Sequence, residues 1–300
     1  MNIDHLREFV YLAETLSFSI TADNFFISKS VLSKHIASLE KELGARLFDR
    51  TSAGVSLTDA GRVFYQDIEV AINDVDRAID DVHTVASCSK SVLRIGYLRY
   101  AAHPFFTAFI DYLGEHYPEL RVEAVRLEYG ALIKAHWSHK VDVILQMNFD
   151  PAARPVCDME PIYRDKLYLI VPKDNSLACK TEGVMPQDMI GERFTLPRES
   201  SYPGFAGFVR GLVREVPGAS YEEYSDIDTM FAGIRDRGYI GFCSKNILEY
   251  QEGIAWVPVL YADTSYDVCA MWLKSMNAQL VTATRAASEF CRKYMSHQKL

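Results

Sequence analysis

"FFISKSVLSKHIASLEKELGARLFDRTSAGVSLTDAG", residues Phe25 to Gly61, decides how the chain is read. Within it Leu32, Ile36, Leu39 and Leu43 follow 4, 3, 4 spacing, the repeat of one buried helix face. Ser28 or Ser30 can cap that helix, and Gly44 can end it in the left-handed conformation. With the apolar stripe turned inward, Lys29, Ser30, Ser33 and Lys34 face outward, with His35 at the margin. Beyond Gly44, "ARLFDR" and "GVSL" read as two short strands joined around Thr51-Ser52-Ala53-Gly54. Upstream, Leu6, Phe9, Val10 and Ala13 share a helical face that Leu16 extends, and Ser17-Phe18-Ser19 opens a second short helix reaching Phe25. Helix, helix, turn, helix, wing is the geometry that seats one helix in a DNA major groove and lays a hairpin on the neighbouring backbone.

Charge supports that reading only locally. The whole chain of 300 residues carries a formal −8, which argues against a surface that binds nucleic acid everywhere. From Ser28 to Arg50, however, five basic residues stand against three acidic ones, and from Thr58 to Asp81 two stand against seven. The acidic excess therefore lies largely outside the run expected to face DNA. In that acidic segment Phe64, Ile68, Ala71, Val75, Ala78, Val82 and Val85 alternate 4 and 3 apart, a heptad stripe on one long helix. Thr58 is its candidate cap. A helix of this kind leaving a small domain is expected to pair with its twin in a homodimer.

From Ser91 onward strands and helices alternate: "VLRIGY", "HPFFTAFIDYLGEHYP", "LRVEAVRL", "GALIKAHWSHK" and "VDVILQM" read β, α, β, α, β. "KLYLIVP", "GFAGFVRGLVREV", "SYEEYS", "IDTMFAGIRDRG" and "YIGFCS" repeat the pattern, and "YDVCAMWL" with a last helix over 277–295 returns to the first unit. The expected result is a mostly parallel sheet and two lobes joined by crossover strands, with a small ligand in the cleft between them. No apolar run is long enough to span a bilayer, and Asp4 and Glu8 interrupt the start where a signal peptide would be apolar, so a cytoplasmic protein with no membrane partner is expected. Cys88, Cys157, Cys179, Cys243, Cys269 and Cys291 show no CxxC pair and read as free thiols. His136 and His139 lack further ligands nearby, no G-x-S-x-G occurs, and no cofactor, metal or catalytic activity is expected.

The segment from Leu6 to Gly61 resembles the LysR-type transcriptional regulators through Leu6, Phe9, Ser17-Phe18, Ala22, Ser28, Ser30, Leu32-Ser33, Ile36, Leu39-Glu40, Leu43-Gly44, Leu47-Phe48, Arg50, Leu57-Thr58 and Ala60-Gly61. "EPIYRDKLYLIVPKDNSLA" is similar to the family's strand entering the second lobe. The resemblance implies an α+β multidomain chain: a winged helix-turn-helix over 1–58, a linker and dimerisation helix over 59–90, and an effector-binding domain over 91–300. That last domain would be periplasmic-binding-protein-like, with lobe I over 91–161 and 267–300 and lobe II over 162–266. It further implies double-stranded DNA, a small-molecule effector, a second copy in a dimer or tetramer, and RNA polymerase as partners.

Carried over by position, DNA contacts fall on Ser28, Lys29, Ser30, Ser33, Lys34, His35, Arg50 and Thr51. Lys29, Lys34 and His35 depart from the Gln and Arg frequent in the family, and lysine offers a point charge where arginine offers a rigid fork. Thr21-Ala22 with Asn24 replaces an Ala-Ala pair with Arg, removing one phosphate contact and implying weak binding by a single copy. For the effector, Tyr100 and Tyr129 stand where relatives often carry Ser or Thr, with Arg99, Gln146, Asn148, Ser200, Ser201, Tyr202 and Phe205 as further candidates. They suggest a planar or aromatic effector between tyrosines, with any anionic group near Arg99. The alternative is a cytoplasmic two-lobe binding protein or enzyme whose N-terminal helices serve only in assembly.

Overall fold

The computed structural model describes residues 1–51, 54–87, 91–149, 157–248 and 252–297. Two compact units are formed, one by Met1–Ser89 with Trp137–Lys140 and the other by Lys90–His136 with Val141–Leu300.

In the first unit the elements are α1 (Ile3–Thr15), α2 (Phe18–Asn24), α3 (Lys29–Leu43), the antiparallel strands β1 (Phe48–Thr51) and β2 (Gly54–Leu57), and α4 (Asp59–Ser87). Each boundary has a chemical cause. Leu16 turns left-handed at φ 49° and ends α1, and Ser17 accepts from the Ile20 N–H to start α2. Ser28 accepts from the Val31 N–H at 3.2 Å, so it caps α3, and Gly44 closes that helix at φ 67°. Thr58 caps α4 by accepting from the Gly61 N–H at 2.9 Å while donating to the Arg46 carbonyl. Phe9, Leu12, Leu32, Ile36 and Leu39 are fully buried, each worth roughly 1.5–3 kcal/mol of transfer free energy.

Thr21, which the sequence marked as a departure, is also fully buried. Its hydroxyl lies 3.0 Å from Thr15 Oγ1, whose single proton goes to the Tyr11 carbonyl, so Thr21 is the donor and its polar atom is satisfied.

The heptad stripe of α4 divides along its length. Phe64 and Ile68 pack against the core of the first unit, whereas Ala71, Val75, Ala78 and Val82 are exposed. The expected seam is corrected accordingly: its first two members are held by their own domain, and Val85 lies outside the described side chains.

In the second unit, β3 (Ser91–Tyr97), α5 (Arg99–Ala102), α6 (Phe106–His116), β4 (Leu120–Arg126), α7 (Tyr129–Trp137) and β5 (Val143–Met147) build most of one lobe. The 16-residue strand β6 (Cys157–Pro172) leaves it for the other, which holds β7 (Arg193–Pro197), α8 (Phe205–Arg214), β8 (Ser220–Tyr224), α9 (Ile227–Arg237), β9 (Gly241–Ser244), α10 (Lys245–Leu248) and β10 (Ile254–Val257). The chain returns through β11 (Ser265–Leu273) and ends on α11 (Ala278–His297). Among the described residues β10, β6, β11, β5, β3 and β4 lie side by side in that order, with β9 also on β6.

The sheet is mixed, correcting the mostly parallel one expected. Pairings β3–β4 and β3–β5, and β7–β8 in a separate two-stranded sheet, are parallel, whereas the long crossovers pair antiparallel with β5, β9, β10 and each other. The reason is topological: βαβ units give parallel neighbours, but a strand that leaves a lobe and another that returns must run oppositely. The β6–β11 ladder slips by one residue between Val268 and Cys269.

Candidate functional site

Lys29, Ser30 and Lys34 are exposed on α3, with Ser33 half-buried beside them. Arg50 on β1 reaches across to this face: its Nη1 donates to Ser33 Oγ at 2.9 Å, and its guanidinium lies 4.1 Å from the centre of the Phe18 ring. One arginine thus ties the wing, α2 and α3 together. Glu40 reinforces the joint from the buried side, accepting from the backbone N–H of Leu47 and, more weakly, of Phe48. Because Ser33 accepts from Arg50, its own hydroxyl proton remains available to a phosphate or base acceptor.

His35 does not belong with these residues. Its Nδ1 lies 2.7 Å from Glu8 Oε2, its ring stacks 3.9 Å from that of His5, and Glu8 is only 4% exposed. The expected DNA contact at His35 is therefore corrected to a contact holding α3 on α1, since its polar edge is turned inward. The side chain of Thr51 lies outside the described residues.

Between the lobes of the second unit lies a cavity of about 150 Å³. Leu98, Met147 and the Arg126–Tyr129 segment line it from one lobe, and Tyr202, Asp228 and Ser244 from the other. These positions cluster where β3, β4, β5 and β9 end, the carboxyl edge at which open α/β sheets hold ligands. Tyr129 is buried and its hydroxyl donates to the Pro203 carbonyl at 3.2 Å, while its ring centre stands 5.7 Å from that of Tyr202. The two tyrosines therefore join the lobes at one wall.

Asp165, on the crossover β6, gathers the floor. Its Oδ2 accepts from Ser244 Oγ at 2.7 Å, Tyr266 OH at 2.9 Å and Asn246 Nδ2 at 3.1 Å. Burial, then the charge of Asp165, pushes the Tyr266 phenol well above its ordinary range, so it stays a hydrogen-bond donor. The Tyr202 phenol is raised in the same way by burial, then by Glu128, Asp226, Cys243 and Asp228.

Of the expected effector residues, Tyr129 and Tyr202 line the cavity. Gln146 does not: it precedes Met147 on β5, so alternation turns it to the opposite face, where it is fully buried with Nε2 3.9 Å from Met271 Sδ. Phe205 sits in the core of α8 against Phe149, and Asn148 lines a different recess with Phe149, Arg164 and Gly204. Ser200 and Ser201 approach Gly130 through their carbonyls and leave Tyr202 to face the cavity. Arg99 and Tyr100 lie outside the described side chains. The sequence reading missed Arg126, Glu128, Asp165, Asp228 and Ser244, although all but Asp165 stand at strand or helix ends where the carboxyl-edge rule points.

The described cysteines are free thiols. Burial pushes Cys243, Cys269 and Cys291 up to about 12, and of the described cysteines only Cys179 is exposed. No described helix is long and apolar enough to cross a membrane.

Residues 3–62 match the profile of bacterial regulatory helix-turn-helix proteins of the lysR family, and residues 89–296 match the LysR substrate binding domain. The chain is 29% identical over 216 residues to the HTH-type transcriptional regulator BenM of Acinetobacter baylyi, covering 71% of this chain and 69% of BenM. It is 27% identical over 282 residues to the HTH-type transcriptional regulator YnfL of Escherichia coli, covering 91% of this chain and 93% of YnfL. Full-length CbnR complexed with its target DNA shares the fold with a TM-score of 0.70 at 17% identity, over 97% of this chain and 100% of CbnR. Full-length BenM shares it with a TM-score of 0.59 at 21% identity, over 100% of this chain and 99% of BenM.

Proposed function

The chain belongs to the LysR family of bacterial helix-turn-helix proteins and is a DNA-binding transcription regulator with an effector-binding domain, and from that premise we propose which residues carry each task. Lys29, Ser30, Ser33 and Lys34 enter the major groove, with Ser28 at the helix start and Arg50 and Thr51 on the adjacent backbone. The exposed face of α3 beside the Arg50 guanidinium is the observation that carries this assignment. Two lysines and one arginine make a modest patch, and presenting it twice or four times on one DNA molecule supplies the missing affinity. The exposed stripe Ala71, Val75, Ala78 and Val82 of α4 is the proposed pairing surface, which divides the work into 1–58 for DNA, 59–90 for pairing and 91–300 for sensing.

An aromatic or planar small molecule occupies the cavity, against the wall that Tyr129 and Tyr202 form. It acts by binding one relative setting of the lobes better than another, which changes how paired copies space or bend DNA and meet RNA polymerase. No catalytic step is assigned to the chain.

The test is the Lys29→Ala, Lys34→Ala double variant at about 150 mM salt, where nonspecific phosphate contacts are largely suppressed. Loss of operator retention with unchanged oligomer size supports the assignment. Full retention would place DNA recognition elsewhere on the first unit.

A further inference from the structure

The cavity between the lobes is small, aromatic and negatively biased, and these three properties together select a ligand chemistry. Its volume of about 150 Å³ is that of an engineered apolar cavity that accepts one benzene ring, so a single ring fits. Tyr129, Tyr202 and Tyr266 supply three phenol rings to its walls. Ring faces carry negative quadrupole potential and attract cations.

Charge points the same way. Among the described lining residues Glu128 and Asp228 oppose Arg126. Behind the lining stand two more carboxylates: Asp165, bonded under Ser244 and Tyr266, and Asp226, which caps α9 next to Asp228. Both Asp226 and Asp228 act on the Tyr202 phenol together with Glu128. Lys245, next in sequence to Ser244, is drawn away, with Nζ 4.3 Å over the Trp256 ring. A carboxylate entering here would meet two carboxylates against one guanidinium among the described lining residues, a balance that favours an ammonium.

We propose that the effector is a monocyclic aromatic amine, its ring against the wall that Tyr129 and Tyr202 form and its ammonium at the Glu128 and Asp228 carboxylates. The proposal rests on the reading of this cavity as the effector site. It reverses the charge expected from Arg99 in the sequence, because the described mouth of the cleft is set by β4 and α9.

The experiment is titration calorimetry on the full chain with phenethylamine and benzylamine, against phenylacetate, benzoate and benzyl alcohol of matched size. The amines are expected to bind, with affinity falling as salt rises, while the carboxylates give no heat. Glu128→Gln and Asp228→Asn should each weaken the amine about fivefold, the upper range for a partly exposed ion pair. Unliganded unfolding curves of both variants report whether they fold as the parent does. Tighter binding of benzoate than of benzylamine, lost in Arg126→Ala or Arg99→Ala, would overturn the charge class and leave the effector site standing. Amine binding that survives in the Glu128→Gln, Asp228→Asn double variant would overturn the assigned contacts. Silence from every ring compound overturns the proposal. Heat from aliphatic acids or sugars would then keep the effector reading, and silence there as well would sink both.

Discussion

Arg50 donates to Ser33 at 2.9 Å, so the wing and the DNA-facing helix are joined by a charged hydrogen bond on the surface expected to meet phosphate. A guanidinium can hold this bond, stack on Phe18 and still present N–H groups outward, because it has five donors in a plane. Arg50→Lys keeps the charge and loses the fork. Operator affinity is expected to fall about tenfold with an unchanged salt slope, while Arg50→Ala should lower the slope by about one unit as well. Filter binding at several salt concentrations separates the two.

Gly61 sits in the first turn of α4, where an added Cβ would stand 2.1 Å from the Leu47 carbonyl oxygen. That oxygen already accepts from the Thr58 N–H, so it cannot yield without opening the joint between wing and helix. Gly61→Ala is expected to cost more than about 2 kcal/mol in a urea unfolding curve. Gly211→Ala is the internal contrast: its Cβ meets nothing within 4 Å inside α8, and removing backbone freedom there should add about 0.5–1 kcal/mol.

Phe26 occupies the turn before α3 at φ 54°, and it is 97% exposed. A bulky side chain in the left-handed region is strained, and this one recovers nothing by burial. Phe26→Asn is expected to raise stability by about 1 kcal/mol, since asparagine tolerates that region. Thermal unfolding of the full chain measures it, and a loss of stability would mean that the ring packs on something the isolated chain does not show.

The buried thiols set an alkaline limit. Cys243, Cys269 and Cys291 are raised from 9.0 to about 12 on folding, so the native chain holds protons that the unfolded chain releases. Their contribution is intact below pH 9 and is lost as pH rises toward 12. Stability should decline across that window, and a thiol reagent at pH 8 should label Cys179 while sparing Cys157, Cys243, Cys269 and Cys291 until the chain unfolds.

The first unit was legible because its signals are local. Ser28, Gly44 and Thr58 act within one turn of themselves, and the 4, 3, 4 stripe of α3 needs no knowledge of its partner. His35 was misplaced for the opposite reason: only the fold brings it to Glu8, 27 positions away. The cleft was legible as a cleft but not in its membership. Tyr129 and Tyr202 could be read from position, yet Gln146 turned away on strand alternation that a one-residue shift reverses. Asp165 was invisible because its meaning comes from Ser244, Asn246 and Tyr266, which join it across the crossover strands.

The position of β11 has a consequence for how the chain is made. It lies between β6 and β5, so the sheet of the first lobe lacks an inner strand until residues 265–273 leave the ribosome. By then the helix-turn-helix has been outside for on the order of ten seconds or more at ordinary synthesis rates. During that interval a nascent chain can hold DNA contacts in place while its sensing half still carries two open strand edges, the surfaces most prone to wrong pairing. Truncations that remove β11 and α11 should therefore aggregate through the sensing half instead of yielding a ligand-blind regulator.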